Sequence, residues 1–143
     1  MSRKNNPIAR LIIDTHFNPD KPENMNILNT NIKDNRIKVY DYDDDDDEKW
    51  LIKDKKEICE TLYYNCVYAL FNSLTNTYHN GEINISKQSF ERIISVITTY
   101  YNDIRVIKEY IKIISYVTYN NRHIVLDNIK KNKLNKLKTT KLI

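Results

Sequence analysis

The chain has 143 residues, enough for one domain with a modest core and too few to expect two. Its single glycine excludes a glycine-rich phosphate loop and a G-x-S-x-G nucleophile elbow, so nucleotide or serine hydrolysis by those devices is out. The net charge of +4 is uneven, because residues 122–143 carry seven Lys or Arg against one acid and the remainder therefore sums to −2.

Ile, Lys, Asn and Tyr supply roughly half of the residues. All four have A/T-rich codons, so genome bias explains part of the Lys and Asn content and composition alone is a weak guide to partners.

At the start, Met1 to Pro7 is basic and Ile8 to Ile13 is apolar but interrupted by Arg10, too short a run for a signal peptide. Charges punctuate every longer apolar segment, so no membrane span is expected, and the reading is a soluble, intracellular protein. Asn18-Pro19-Asp20-Lys21-Pro22-Glu23-Asn24 follows as a loop, since each proline restricts the residue before it to extended geometry. Met25, Ile27 and Ile32 suggest one or two short strands beyond it.

Arg36-Ile37-Lys38-Val39-Tyr40 alternates polar and apolar, and Lys49-Trp50-Leu51-Ile52-Lys53 resumes an extended pattern after an acidic connector. The two form an expected β-hairpin with Ile37, Val39, Trp50 and Ile52 on its buried face. The connector, Asp41 to Glu48 with five consecutive aspartates, offers carboxylates to a divalent cation. It lacks the alternating ligands and turn glycine of a calcium loop and reads first as a solvated loop; no metal ligand is assigned.

Asp54 followed by Glu57 has the form of a helix cap, and Ile58, Leu62, Cys66, Leu70 and Leu74 recur at helical spacing. Asn80-Gly81 supplies a left-handed stop, giving a first long helix over about 55–79. Cys59 and Cys66 would lie about 10 Å apart along it, beyond disulfide reach. Two cysteines without a nearby His pair also make no finger-type zinc site, and they fit a reducing compartment.

Ser86 is the expected cap of a second helix carrying Phe90, Ile93, Ile97, Tyr100, Ile104, Ile107, Ile111 and Ile114 at alternating three- and four-residue steps, to about Tyr119. This heptad stripe is the expected interaction surface. Ile at both a and d positions favours three or more helices if the stripe meets other chains. The flanking Ile94, Val96, Tyr101 and Val117 widen the stripe and fit burial inside a small domain equally well. Asn102-Asp103 is a point at which the helix divides in two. Asn120-Asn121 ends it, before a shorter helix over about 123–137.

Lys130, Lys131, Lys133, Lys136, Lys138 and Lys141 form a basic end that neutralises phosphates if it meets nucleic acid, although no aromatic platform for stacking bases is interleaved. A solvated tail is the plainer reading. His79 and His123 sit beside expected helix ends, where a His serves as a cap. The eleven tyrosines suit half-buried faces with a wet edge. Asp14-Thr15-His16 with Pro22-Glu23-Asn24-Met25 faintly resembles the HNH nuclease core, in which a His acts as general base beside a metal. The His16–Asn24 interval is shorter than that family's, the third position falls near Asn31, and no cysteine knuckles brace the site.

The order of Pro7-Ile8-Ala9-Arg10-Leu11-Ile12, His16-Phe17-Asn18-Pro19, Pro22-Glu23-Asn24-Met25-Asn26-Ile27, Asn31-Ile32-Lys33, Val39-Tyr40-Asp41, Lys49-Trp50 and finally Tyr119-Asn120-Asn121-Arg122 resembles an uncharacterised domain of large, mimivirus-like DNA viruses. In those viruses the domain often lies C-terminal to a C2H2 zinc finger and a coiled-coil linker. The likeness spans about residues 7–125, and this chain has no such finger. It implies an accessory protein of the host-cell interior, in cytoplasm, viral factory or virion, and brings no catalytic residues with it.

Together these readings predict an α+β fold, a small N-terminal β-hairpin region followed by two or three long amphipathic helices. They place one domain at 1–121, with 7–53 β-rich and 54–121 helical, and a basic helical or disordered tail at 122–143. The expected function is a non-enzymatic interaction or oligomerisation module, with no cofactor, no catalytic residue and no membrane. Nucleic-acid binding through the basic tail is the alternative, and a degenerate HNH-like nuclease the third reading.

Overall fold

The computed structural model describes residues 6–41 and 49–141, apart from the side chains of 41, 49 and 135–141. The aspartate run, with any cation-binding role for it, lies outside the described residues, as do the side chains of Lys136, Lys138 and Lys141. The architecture is α+β: a small three-stranded antiparallel sheet in the N-terminal part, followed by long helices.

The first apolar segment is a helix, α1 (Pro7–His16). Asn6 caps it, its Oδ1 accepting from the N–H groups of Ile8 and Ala9, and Pro7 sits where no intrahelical donor is needed. Ile8 and Ile12, one turn apart, bury the same face. The Pro-rich loop follows, closed by a single 3-10 turn over Pro22–Asn24.

The sheet runs in the order β1 (Ile27–Leu28), β2 (Arg36–Asp41), β3 (Lys49–Asp54), all antiparallel. The hairpin forms as expected, but its register corrects the expected buried face. Ile37 pairs with Lys53 and Val39 with Leu51, whereas Trp50 pairs with Tyr40 and Ile52 with Lys38. Directly opposed residues share a face, so Trp50 and Ile52 lie on the side away from Ile37 and Val39. Ile37 is buried and Ile52 is 61% exposed. Trp50 remains half-buried, edge-on to Tyr40 at 5.3 Å and packed against the core from the other side.

Helix α2 (Lys55–His79) starts and stops as its sequence signals require. Asp54 Oδ2 accepts from the Glu57 N–H at 3.1 Å, and Gly81 adopts φ +71°. At that end the N–H of Glu82 reaches the Thr77 carbonyl and that of Gly81 the Tyr78 carbonyl, the paired bonds of a Schellman stop.

The heptad segment is two helices, α3 (Lys87–Asn102) and α4 (Ile104–Asn120). Ser86 caps the first through the Ser89 N–H. Asp103, extended at φ −82° and ψ 110°, caps the second through the Arg105 N–H, so a residue better at capping than propagating divides the stripe. Helix α5 (Arg122–Lys141) follows after a one-residue break. Its first turns join the core, because Val125 is fully buried and Ile124 and Ile129 pack beside it.

The core gathers α1, the inner side of the sheet, the first half of α2, α4 and the start of α5, centred on Ile12, Phe17, Cys59, Tyr63 and Ile114. Two polar residues, Asn29 and Thr118, are fully enclosed with them. Asn29, beyond β1, donates from Nδ2 to the Ser115 carbonyl and the Thr118 hydroxyl, pinning the sheet to α4. Both cysteines are free and buried. No helix among the described residues is long and apolar enough to cross a membrane.

Candidate functional site: an apolar helical arm

Helix lengths create an overhang. At about 1.5 Å per residue, the 25 residues of α2 extend about 37 Å and the 17 of α4 about 26 Å, so α4 cannot cover all of α2. The buried residues of α2 accordingly end at Val67. From Tyr68 onward the helix pairs with α3, which contributes no buried residue at all.

On α3 the apolar residues form two adjoining rows. Phe90, Ile94, Ile97 and Tyr101 recur at helical spacing and face α2, since Phe90 stacks on Tyr78 at 4.0 Å and Tyr101 meets Tyr64 at 5.1 Å. Ile93, Val96 and Tyr100 form the neighbouring row and stand partly in solvent. Leu70 of α2 shares a cleft with Tyr100 and is 40% exposed, and Ile104 at the start of α4 is 67% exposed.

Between the arm and the body is an apolar cleft of about 180 Å³, lined by Pro7, Ile8, Val67, Leu70, Ile97, Tyr100 and Tyr110. Its floor is held by polar contacts at its edges. The Tyr63 hydroxyl donates to the Tyr100 carbonyl, one of the last-turn acceptors that α3 itself leaves empty. Asn6 Nδ2 donates to the Tyr110 hydroxyl at 3.1 Å. Tyr63 and Tyr110 have ring centroids 5.1 Å apart. Burial, reinforced by neighbouring phenols, pushes the Tyr63 hydroxyl up to about 12, so it stays a neutral donor.

The expected interaction stripe is thereby split. Ile107 and Ile114 are buried in the core with Ile111 packed beside them, while Phe90, Ile93, Ile97 and Tyr100 run along the arm and Ile104 lies exposed at the junction. Leu70, one of the apolar residues at helical spacing on α2, borders the cleft. Tyr68 and Phe71, on the other edge of α2, are exposed large side chains that periodicity did not single out. The signal that locates all three is the excess length of α2.

Elsewhere, Lys130, Lys131 and Lys133 are exposed on α5. The six lysine positions, advancing by about 100° per residue, wind around the helix and do not share one face. Arg122 is turned inward, its guanidinium 4.0 Å over the Tyr119 ring and bonded to the Tyr119 carbonyl.

His16 Nδ1 lies 3.0 Å from both the Asn24 carbonyl and Asn26 Oδ1, two acceptors that together require the proton on Nδ1. The ring thus ties the end of α1 to the Pro-rich loop. Asn24 meets it through the backbone, and Asp14 is exposed. Among the described residues no group of three or more His, Cys, Asp or Glu is placed to hold a metal ion.

Comparison with known proteins adds no relative: no protein-family model, curated protein or solved structure matches the chain.

Proposed function

We propose that this protein is a non-enzymatic interaction module whose α2–α3 arm self-associates. The observation that carries this is the partly solvent-facing row of Leu70, Ile93, Val96, Tyr100 and Ile104 beside an apolar cleft, on a hairpin in which no residue of α3 is fully buried. Single exposed apolar residues are ordinary on protein surfaces, but a contiguous row is a feature of contact sites. The resemblance of residues 7–125 to a giant-virus domain gives this module an accessory role inside an infected cell.

The test is light scattering over a concentration series, with the 17.1 kDa monomer as reference. A mass of two or more chains is expected, and Ile93→Asp with Val96→Asp returns it to one chain with unchanged far-UV circular dichroism. A wild-type chain that remains monomeric at high micromolar concentration overturns the proposal.

A second reading, nucleic-acid binding by α5, is favoured by the exposure of Lys130, Lys131 and Lys133, none of which forms an ion pair with a described carboxylate. Its test is a gel-shift titration at low and physiological salt against Lys130→Ala/Lys131→Ala/Lys133→Ala. Equal affinity of both forms sinks this reading.

A further inference from the structure

On a different surface from the arm, a groove of about 750 Å³ opens between the loop before β2, the start of α2 and the middle of α4. Lys33, Lys55, Lys56 and Lys112 line it together with Ser115 and Tyr116. Two aspartates, Asp34 and Asp54, also border it, but each is already engaged. Asp34 accepts from Arg36 Nε at 3.1 Å, Arg36 Nη2 at 3.2 Å and the Arg36 N–H at 3.0 Å. That guanidinium holds the Asp34 carboxyl below the usual carboxylate range. Asp54 caps α2 through the Glu57 N–H.

Lys55 is the unusual member. It is 7% exposed, and its Nζ donates to the Asn31 carbonyl at 2.7 Å. An ammonium has three donors, and among the described residues the other two have no acceptor. No described carboxylate lies within 4.0 Å of it either. Burying a cation is costly unless an opposite charge accompanies it; here Asp34, already shared with Arg36, offers its attraction only from beyond contact distance, so the groove wall carries an ammonium with no carboxylate directly bonded to it. Burial also pushes the Lys55 pKa down. Around it, Lys33, Lys56 and Lys112 are exposed without an ion-pair partner among the described residues, and the opening turn of α2 adds the positive end of its dipole.

We propose that this groove binds a phosphate-bearing ligand, whose phosphate bonds directly to Lys55 on the groove wall and is held at the rim by Lys33, Lys56 and Lys112. Phosphate suits the site because several oxygens at one centre accept from several ammonium groups at once, each acting as a point charge. Such a group comes either from a small phosphorylated molecule or from the backbone of a nucleic acid.

The experiment titrates the full chain, labelled with nitrogen-15, with inorganic pyrophosphate at constant ionic strength. Saturable amide shifts confined to residues 31–35, 54–57 and 111–116 are expected. Lys55→Met should weaken binding at least tenfold. The rim variant Lys33→Ala/Lys112→Ala, which keeps the buried lysine and the core intact, should also weaken it and stays informative if Lys55→Met fails to fold. A short DNA single strand that displaces pyrophosphate from these residues points to a nucleic-acid backbone; one that leaves the shifts in place points to a small phosphorylated molecule. Absence of saturable shifts at millimolar pyrophosphate, or equal shifts in the wild type and the rim variant, overturns the proposal.

Discussion

Replacing Ile114 and Ile104 by alanine applies one chemical change at two positions of the same heptad stripe. Ile114 is fully enclosed, so truncation removes three carbons from the core; at about 0.8 kcal/mol per buried group that is about 2.4 kcal/mol, before any cavity cost. Incomplete collapse of the cavity raises the loss to about 3–4 kcal/mol, and alanine's better helix propensity returns only about 0.3 kcal/mol. Ile104 is 67% exposed, and its truncation should cost no more than about 0.5 kcal/mol. Urea denaturation followed by circular dichroism measures both. A dilute sample is needed, since self-association adds stability by mass action. For a chain of this size Ile114→Ala should lower the melting temperature by about 10–12 °C and Ile104→Ala by about 2 °C or less. At higher concentration the order reverses for assembly, with Ile104→Ala weakening association more than Ile114→Ala does. Equal stability losses at the two positions would refute the division of the stripe into a core half and a surface half.

Three further outcomes are expected. Tyr63→Phe deletes the hydroxyl that satisfies the Tyr100 carbonyl and should cost about 1 kcal/mol in a chemical denaturation experiment; no loss means that water satisfies the carbonyl as well. At Gly81, with φ +71° and nothing within 4 Å of an added Cβ, Gly81→Ala should cost about 1 kcal/mol through backbone strain alone, and Gly81→Asn less. Burial raises the Cys59 thiol to about 12 and the Cys66 thiol to about 11, from an ordinary 9.0. Above pH 9 the unfolded chain loses thiol protons that the folded chain retains, so these groups stabilise the fold below pH 9 and lose that contribution as pH rises toward 12. A stability–pH profile flat from 9 to 11, or rapid labelling of both thiols in the folded protein, contradicts this burial.

Much of the helical layout is legible from local chemistry. Asp54, Ser86 and Gly81 mark ends that backbone hydrogen bonding requires wherever the helices pack, because unsatisfied terminal N–H and C=O groups need partners in any environment. Asp103 belongs with them, since a side chain that competes for backbone donors divides a helix locally. The hairpin strands are legible for the same reason, through alternation.

Their shared face is not. Whether Trp50 faces with Ile37 or with Tyr40 depends on the register of the two strands, and a one-residue shift reverses every side chain. Residues 7–16 show the same boundary from another side. Ile8 to Ile13 is too short and too uniformly apolar for periodicity to separate helix from strand, and the Asn6 cap with contacts to α2 and α4 settles the matter.

The candidate sites follow this division. The apolar row on α3 was visible as a pattern, because repeating side-chain spacing is a property of one helix. Which half of that pattern is core and which is surface depended on the relative lengths and positions of α2 and α4, a relation between elements. The lysine groove left no trace in the sequence at all. Lys33, Lys55 and Lys112 are ordinary charges along the chain, and only packing brings them to one cavity and encloses one of them, since burial and charge pairing are set by neighbours distant in sequence.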